Sequence, residues 1–393
     1  MSPVRTRWPI VALAFAAGIA GAMQVGKVPP ALNPIRIELG LSLVTAGWVA
    51  SLFNAIGAAA GMLTGVVADR LGRRKVVLLG LGALAIGSAL GALAPNGGML
   101  LFSRFLEGIG FIAVAVSVPA LLTEAVRPAD QRLVLGWFAI YMGTGMGAMM
   151  ALSPAIMTGF GWRGLWLANA GLLALLLGAI GWATAGMRTP PPVGRLAELS
   201  PVLARPGAWL LGAIFGCYTL QWMAVMAWLP SYAGELGLGA TGAAWAGAGA
   251  VIVNITGVLA GGVLLHRGVA RWLLIVAALL AMGLSALGFF SEALPAALRY
   301  ALVAVFSGIG GLLPAACLAA APAHAPSARD VGLVNGLINQ GSNLGTLAGP
   351  PLMAALVTWT GSWSGAGPLL PAMAALGIGL AWWLRRIEAR SGR

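Results

Sequence analysis

Long, uninterrupted apolar stretches follow one another along almost the whole chain, and short polar segments separate them. A helix that crosses a bilayer needs about 20 consecutive apolar residues, whereas the strands of a membrane barrel alternate apolar and polar residues. The stretches here are continuous, so the pattern predicts membrane-spanning helices. We expect twelve of them, at residues 8–32, 43–68, 76–94, 98–123, 132–156, 164–187, 207–232, 241–265, 271–290, 296–320, 332–358 and 366–386.

The composition excludes a water-soluble protein. Of the 393 residues, 60% are hydrophobic and 8% are charged, against about 25% charged residues in soluble globular domains. The net charge of +13 comes from basic residues that lie in short clusters between the apolar stretches. Such clusters favour contact with anionic lipid headgroups, so we expect membrane lipid as a partner and no nucleic acid.

The basic residues also predict the orientation of the chain. If the N-terminus is cytoplasmic, 18 of the 23 basic residues lie in cytoplasmic segments, and the five others are Lys27, Arg36, Arg104, Arg163 and Arg299. Cytoplasmic loops of membrane proteins are rich in Lys and Arg. We therefore expect both termini on the cytoplasmic side.

The two halves of the chain repeat at an offset of 200 residues. Gly-Ile-Gly at 108–110 recurs at 308–310, Leu-Val at 133–134 recurs at 333–334, and Gly145 corresponds to Gly345. A proline-rich cytoplasmic linker at 188–206 separates the halves. The repeat predicts two pseudo-symmetric six-helix bundles, 1–187 and 207–393, an arrangement typical of secondary transporters, whose site lies between the repeats.

The segment Gly-Val-Val-Ala-Asp-Arg-Leu-Gly-Arg-Arg-Lys at 65–75 joins the second and third predicted helices. It resembles the signature loop of the major facilitator superfamily. The resemblance implies that family's fold, an all-α integral membrane protein, and a cytoplasmic gate in which the aspartate caps helix eleven and the arginines pair with an acid on helix four. The gate residues implied in this chain are Gly65, Asp69, Arg70, Gly72, Arg73, Arg74 and Glu124.

A second stretch, Gly-Lys-Val-Pro-Pro-Ala-Leu at 26–32 with Gly-Trp at 47–48, is similar to the cyanate permease and nitroimidazole transporter branch of that superfamily. This resemblance implies a compact anionic or polar substrate.

Three ionisable residues fall at membrane depth, where charged residues are functional candidates. Lys27 either faces the substrate cavity or anchors the first helix at the outer headgroups. Arg104 and Glu107 are three residues apart on one helix, so they form either part of the site or an ion pair that packs the helix. The three charges sum to +1, which favours a small anion or a polar neutral solute, and Glu107 is the candidate carrier of a coupling proton.

Uncharged polar and aromatic residues at membrane depth complete the candidate substrate site, although any one of them could instead hold two helices together. They are Gln24, Trp48, Tyr141, Tyr218, Gln221, Trp222, Asn335 and Asn339. We expect Trp166 and Trp182 to belong to the aromatic belts at the membrane surfaces.

These features favour a monomeric secondary active transporter in a bacterial plasma membrane, the inner membrane. It would move a small anionic or polar organic solute by alternating access, coupled to protons. An efflux antiporter for hydrophobic compounds is the first alternative, and a non-transporting membrane sensor or scaffold is the second. The sequence contains no nucleophile–base pair, phosphate loop or metal-ligand cluster, so we expect no enzyme activity, cofactor or metal.

Overall fold

The computed structural model describes residues 5–187, 199–327 and 330–390, and it describes no side chain at 65–69, 199–200 and 235. Every regular element in this part of the chain is helical. The first eight helices are α1 (Trp8–Gly26), α2 (Val28–Glu38), α3 (Leu43–Ser51), α4 (Ala55–Leu71), α5 (Arg73–Ala92), α6 (Gly97–Ala125), α7 (Pro128–Phe138) and α8 (Tyr141–Ala183). The others are α9 (Leu199–Leu203), α10 (Pro206–Glu235), α11 (Ala240–His266), α12 (Arg271–Phe289), α13 (Ala296–Gly310), α14 (Leu312–Ala319), α15 (Ala321–His324), α16 (Val331–Thr360), α17 (Trp363–Ala366) and α18 (Leu369–Arg390).

Ten helical stretches in the described residues are long and apolar enough to cross a membrane. One of them, Pro128–Ala183, combines α7 and α8 and is 56 residues long. A φ of +62° at Gly161 interrupts α8, between the two helices that the sequence predicts there. The all-α class is confirmed, whereas twelve crossings and cytoplasmic termini stay predictions.

The first predicted helix is longer than its sequence pattern indicates. The chain passes from α1 into α2 at Lys27 and stays helical to Glu38, six residues beyond the predicted end at 32. Pro29 and Pro30 are tolerated because they lie in the first turn of α2, where a backbone N–H has no acceptor within its own helix. Lys27 is thus held between two helical segments.

Backbone contacts divide the chain into two compact units. The first unit contains residues 1–40 and 63–195, and the second contains residues 41–62 and 196–393. One boundary lies next to Ala60 in α4, whose φ of −136° and ψ of 18° are not helical.

Residues 41–62 belong to the second unit because α3 packs on α16. A Cβ at Gly47 would lie 2.8 Å from Cα of Pro351, so the two backbones are in direct contact there. The halves predicted from the sequence place this segment in the first half. The predicted linker at 188–206 lies largely outside the described residues.

Each unit contains a close helix crossing built on a glycine from the sequence repeat. In the first unit α8 packs on α1, and a Cβ at Gly145 would collide with the carbonyl oxygen of Ile19. In the second unit α16 packs on α10, and a Cβ at Gly345 would collide with the carbonyl oxygen of Gly216. Small residues let membrane helices approach this closely. The repeated glycine therefore has the same packing role in both units.

Candidate functional site

Five polar side chains from three helices meet in the interior of the first unit, and we call them the Lys27 cluster. Gln24 and Lys27 come from the end of α1, Ser88 from α5, and Arg104 and Glu107 from α6. All five residues are 0% exposed. Burial of charged groups in a membrane protein is expensive unless partners stabilise them, so the contacts within this cluster decide what it can do.

Lys27 lies at the centre of the cluster. Its Nζ donates hydrogen bonds to Gln24 Oε1, Ser88 Oγ and Glu107 Oε1, each at 2.6 Å. The same nitrogen lies 4.4 Å from the ring centre of Trp166, a cation–π distance. Lys27 therefore points into the unit and does not extend to the outer headgroups in this structure.

Glu107 joins both cations of the cluster. Its Oε1 accepts from Lys27 and, at 2.7 Å, from the Ser88 hydroxyl. Its Oε2 accepts from Nη1 of Arg104, one turn earlier on α6. One carboxylate thus bridges an ammonium and a guanidinium group.

Gln24 is held in place by α8. Its Nε2 donates to Asn169 Oδ1 at 2.9 Å and to the Ala20 carbonyl oxygen at 3.0 Å. Asn169 in turn donates to the Leu165 carbonyl oxygen at 2.8 Å. Because both amide protons of Gln24 are donated to Ala20 and Asn169, the amide oxygen of Gln24 faces Lys27.

Trp166 does not belong to a membrane-surface belt, contrary to the sequence-based expectation. It is 0% exposed, whereas Trp182 is 85% exposed. Its ring fits beside Gly91, where a Cβ would lie 2.6 Å from the indole nitrogen, and Lys27 lies over its face. Among the described residues, that nitrogen has no hydrogen-bond partner. The attraction between the buried ammonium group and the ring explains why this tryptophan faces inward.

With Lys27 protonated, the charged members of the Lys27 cluster sum to +1. The other carboxylates of the first unit whose side chains are described form ion pairs elsewhere, at 2.8–2.9 Å: Glu38 with Arg163, Glu124 with Arg73, and Asp130 with Arg127. The cluster is therefore electropositive and suited to an anion.

The second unit has an uncharged polar cluster on α10, α11 and α13. Asn254 donates to the Tyr218 hydroxyl at 3.0 Å and to the Ser307 carbonyl oxygen at 2.7 Å, and Trp222 donates to Ser307 Oγ at 3.2 Å. Gln221 is 0% exposed, and its Oε1 has no hydrogen-bond partner among the described residues. These groups can bind polar but uncharged parts of a solute.

Four predicted site residues, Trp48, Tyr141, Asn335 and Asn339, lie outside both clusters. Trp48 is 38% exposed on α3. The Tyr141 ring stacks on Phe138 with centroids 4.4 Å apart. Asn339 donates to the Asn335 carbonyl oxygen one turn earlier on α16, at 2.9 Å. The Asn335 Oδ1 atom is buried and has no hydrogen-bond partner among the described residues.

Among the residues whose side chains are described, Arg73 of the signature loop forms an ion pair that the family resemblance implies. Arg73 Nη1 lies 2.9 Å from Glu124 Oε1, and Gly72 makes the turn between α4 and α5 with a φ of +88°. Arg74 donates to Thr184 Oγ1 at 2.9 Å and to the Gly181 carbonyl oxygen at 3.0 Å. Arg70 is exposed, and Gly65 and Asp69 lie outside the residues whose side chains are described.

Sequence reasoning missed Ser88, Asn169 and Ser307. A serine or asparagine inside an apolar stretch is a weak signal, because it can bond to its own helix or to a neighbour. Only the packing of α5, α8 and α13 brings these three residues to their partners.

Comparison with known proteins agrees with this fold. The family model described as Major Facilitator Superfamily matches residues 10–304 and 211–393. A putative niacin/nicotinamide transporter, NiaP of Bacillus subtilis (strain 168), is 32% identical over 160 residues, 39% of this chain and 40% of that protein. A puromycin resistance protein of Streptomyces alboniger is 30% identical over 178 residues, 44% of this chain and 35% of that protein. The aligned segments thus span 40% and 35% of these two relatives.

A solved structure shows the same fold over nearly the whole chain. It is a bacterial homologue of the human lysosomal transporter Spinster, in an inward-facing and occupied conformation. The TM-score is 0.80 at 15% identity, covering 97% of both chains. The similarity to the cyanate permease branch stays a prediction. The fold and the family model together show that this chain belongs to the Major Facilitator Superfamily of transporters.

Proposed function

We propose that the protein is a secondary active transporter that moves small organic anions, coupled to protons, across a bacterial inner membrane. The observation that carries the proposal is the buried Lys27 cluster, whose net charge is +1 when Lys27 is protonated. An electropositive site that excludes water binds a carboxylate strongly, because charge–charge attraction is weakly screened there.

The cluster supports a simple binding mechanism. In the empty site Glu107 bridges the two basic side chains, Lys27 and Arg104. A substrate carboxylate offers the same two oxygens, so it can replace Glu107 as the partner of Arg104 or Lys27. Alternating access of the site to the two sides of the membrane, as proposed for the two repeated halves, would then move the bound anion.

The Arg73–Glu124 ion pair supports a proposed cytoplasmic gate. An ion pair between α5 and α6 at the signature loop can form in one conformation and break in another. We assign the gate to the residues that the family resemblance implies, including Gly65 and Asp69, and we give it no substrate contact.

A relative supports a small organic substrate. The matched protein of Bacillus subtilis is named as a putative niacin/nicotinamide transporter. Niacin is a pyridine carboxylate, and nicotinamide is its uncharged amide. The two compounds have almost the same shape, so they separate the effect of charge from that of size.

The test is binding and uptake of these two compounds by the purified chain. We expect niacin, and not nicotinamide, to raise the thermal unfolding temperature, because a ligand that binds only the folded state stabilises it. Proteoliposomes should take up labelled niacin. Lys27→Ala should abolish both responses, whereas Lys75→Ala, at an exposed position, should bind niacin as the wild type does. Equal stabilisation by nicotinamide, or niacin binding by Lys27→Ala, would contradict the proposal.

The second candidate function is efflux of hydrophobic compounds. It is favoured by the similarity to a puromycin resistance protein. Under this alternative, lipophilic cations would stabilise the protein and small carboxylates would not. A sensor or scaffold without transport would bind a solute but give no flux in proteoliposomes. Whether the protein transports small anions or exports hydrophobic compounds, we propose that it is a monomer without enzyme activity or cofactor.

A further inference from the structure

The Lys27 cluster contains two side chains that can gain or lose a proton, Lys27 and Glu107. The guanidinium group of Arg104 does not lose its proton in proteins. The sequence favours Glu107 as the proton carrier, since it is the carboxylate at membrane depth. The surroundings of the two groups favour Lys27 as the proton carrier.

The net charge of the cluster separates the two possibilities. Protonation of Glu107 would leave Lys27 and Arg104 as two buried cations with a net charge of +2. Loss of a proton from Lys27 leaves the Arg104–Glu107 ion pair, with a net charge of zero. Because uncompensated charge in a buried site is expensive, the empty cluster is most stable with a neutral Lys27.

A bound monoanion restores neutrality when Lys27 is protonated. The cluster then has a charge of +1 and the substrate a charge of −1. If Glu107 carried the proton instead, the site would retain a charge of +1 both empty and loaded. The Lys27 route is therefore the one in which both states of the site are neutral.

Ser88 lets the cluster accept either form of Lys27 without moving its heavy atoms. Its hydroxyl oxygen lies 2.6 Å from Lys27 Nζ, 2.9 Å from Gln24 Oε1 and 2.7 Å from Glu107 Oε1. When Lys27 is charged, the hydroxyl accepts from it and donates to one of the two oxygens. When Lys27 is neutral, the hydroxyl can rotate and donate to the amine lone pair.

The helices around Lys27 add few other charged groups. Gln24 faces it from α1, Ser88 from α5, and Trp166 from α8. The charged or titratable groups that face it, among the described residues, are Arg104 and Glu107 of α6. The proton balance of the site is therefore set by these three side chains.

We propose that Lys27 is the proton-binding residue and that the protein cotransports one proton with one small monocarboxylate. A proton from water on the side of substrate entry binds the lone pair of Nζ, and proton and anion leave together on the other side. No net charge crosses the membrane in the cycle. This inference rests on the proposed transport of small anions and specifies its coupling.

The first test is niacin accumulation in proteoliposomes under a pH gradient with the membrane potential clamped. A pH difference of one unit is a tenfold ratio of proton concentrations across the membrane. If one proton moves with each anion, this ratio can drive about tenfold accumulation of niacin, because equal ratios correspond to equal free energies. Lys27 and Lys75 are the only lysines of the chain. Lys27→Arg keeps the positive charge, but the arginine cannot release its proton. The pH gradient should then cause no accumulation, and the niacin concentrations on the two sides should become equal. The matched control Lys75→Arg should still accumulate niacin about tenfold.

The second test observes the proton itself and does not depend on transport by a variant. In Lys75→Arg protein labelled with ¹³C-lysine, the remaining lysine signal belongs to Lys27, and its Cε shift reports the charge. Saturating niacin at constant pH should raise the charged fraction of Lys27, and nicotinamide should leave it unchanged.

Three results would overturn parts of this account, and they can be told apart. If Lys27→Arg still accumulates niacin with the pH gradient, or if niacin leaves the Lys27 signal unchanged, Lys27 is not the proton carrier. If membrane potential drives accumulation in the wild type, the cycle moves net charge and the one-to-one coupling is wrong. If the wild type neither binds nor transports niacin or other small carboxylates, the proposed function fails together with this inference.

Discussion

Glu107 shows how much a single residue can depend on its partners. It accepts hydrogen bonds from Lys27, Ser88 and Arg104 in a site with no exposure. Removal of one member of a buried ion-pair network leaves the others without compensation, which costs more than the same change in an exposed pair. Glu124, in a pair whose side chains are 28% and 21% exposed, provides the comparison.

We therefore expect Glu107→Gln to destabilise the folded protein by about 3–5 kcal/mol, because the buried Arg104 and Lys27 lose the carboxylate that holds them. Glu124→Gln should cost about 0–1 kcal/mol. Unfolding of the purified variants in a titration with a denaturing detergent measures both values. Equal effects of the two substitutions would show that the Lys27 cluster is not an ion-pair network in the folded protein.

At the scale of helices, the repeat explains where backbones touch. Gly145 and Gly345 lie 200 residues apart, and each marks a close contact of its helix with the backbone of a neighbouring helix in the same unit, α1 or α10. Gly136, which corresponds to Gly336 at the same offset of 200 residues, differs: a Cβ at Gly136 would have nothing within 4 Å. Close helix packing therefore explains the repeated glycine at 145 and 345, but it does not explain the glycine at 136.

This difference predicts opposite signs for the same substitution. Gly145→Ala and Gly345→Ala should each destabilise the protein by about 1–3 kcal/mol, since the added Cβ meets a backbone carbonyl that cannot move freely. Gly136→Ala should stabilise it by about 0.5–1 kcal/mol through helix propensity. Thermal unfolding in detergent of the three variants decides the matter. A stabilising effect at Gly145 or Gly345 would mean that the two crossings are looser than described.

At the scale of the whole molecule, charge on the connecting segments is expected to set the orientation in the membrane. Basic residues cluster at one end of the apolar stretches, and Arg385, Arg386 and Arg390 close the last described helix. Such residues are retained in the cytoplasm during insertion.

We expect a fluorescent protein fused after residue 390 to be fluorescent in bacterial cells, and an alkaline phosphatase fused there to be inactive. The control is the phosphatase fused after residue 95, in the short connector between α5 and α6, where it should be active. Phosphatase activity after residue 390 would reverse the predicted orientation.

The helices were largely predictable from the sequence, and the site only in part. Apolar stretches predicted α10 to α12 within two or three residues of their observed ends, because membrane helices need a fixed length of apolar chain. The predicted end at 32 was too early, since α2 continues through Pro34 to Glu38. Lys27, Arg104 and Glu107 were candidates from their charge alone.

The sequence by itself determined the class of protein, the repeated helices and the family, since hydropathy and local motifs are properties of the chain. Tertiary structure decided that Lys27 meets Ser88 and Glu107 rather than the headgroups, and that Trp166 faces inward beside it. A charge in an apolar helix shows that a partner is needed, because its burial is otherwise too expensive. Which partner it finds depends on how neighbouring helices cross, and no local pattern in the sequence contains that information.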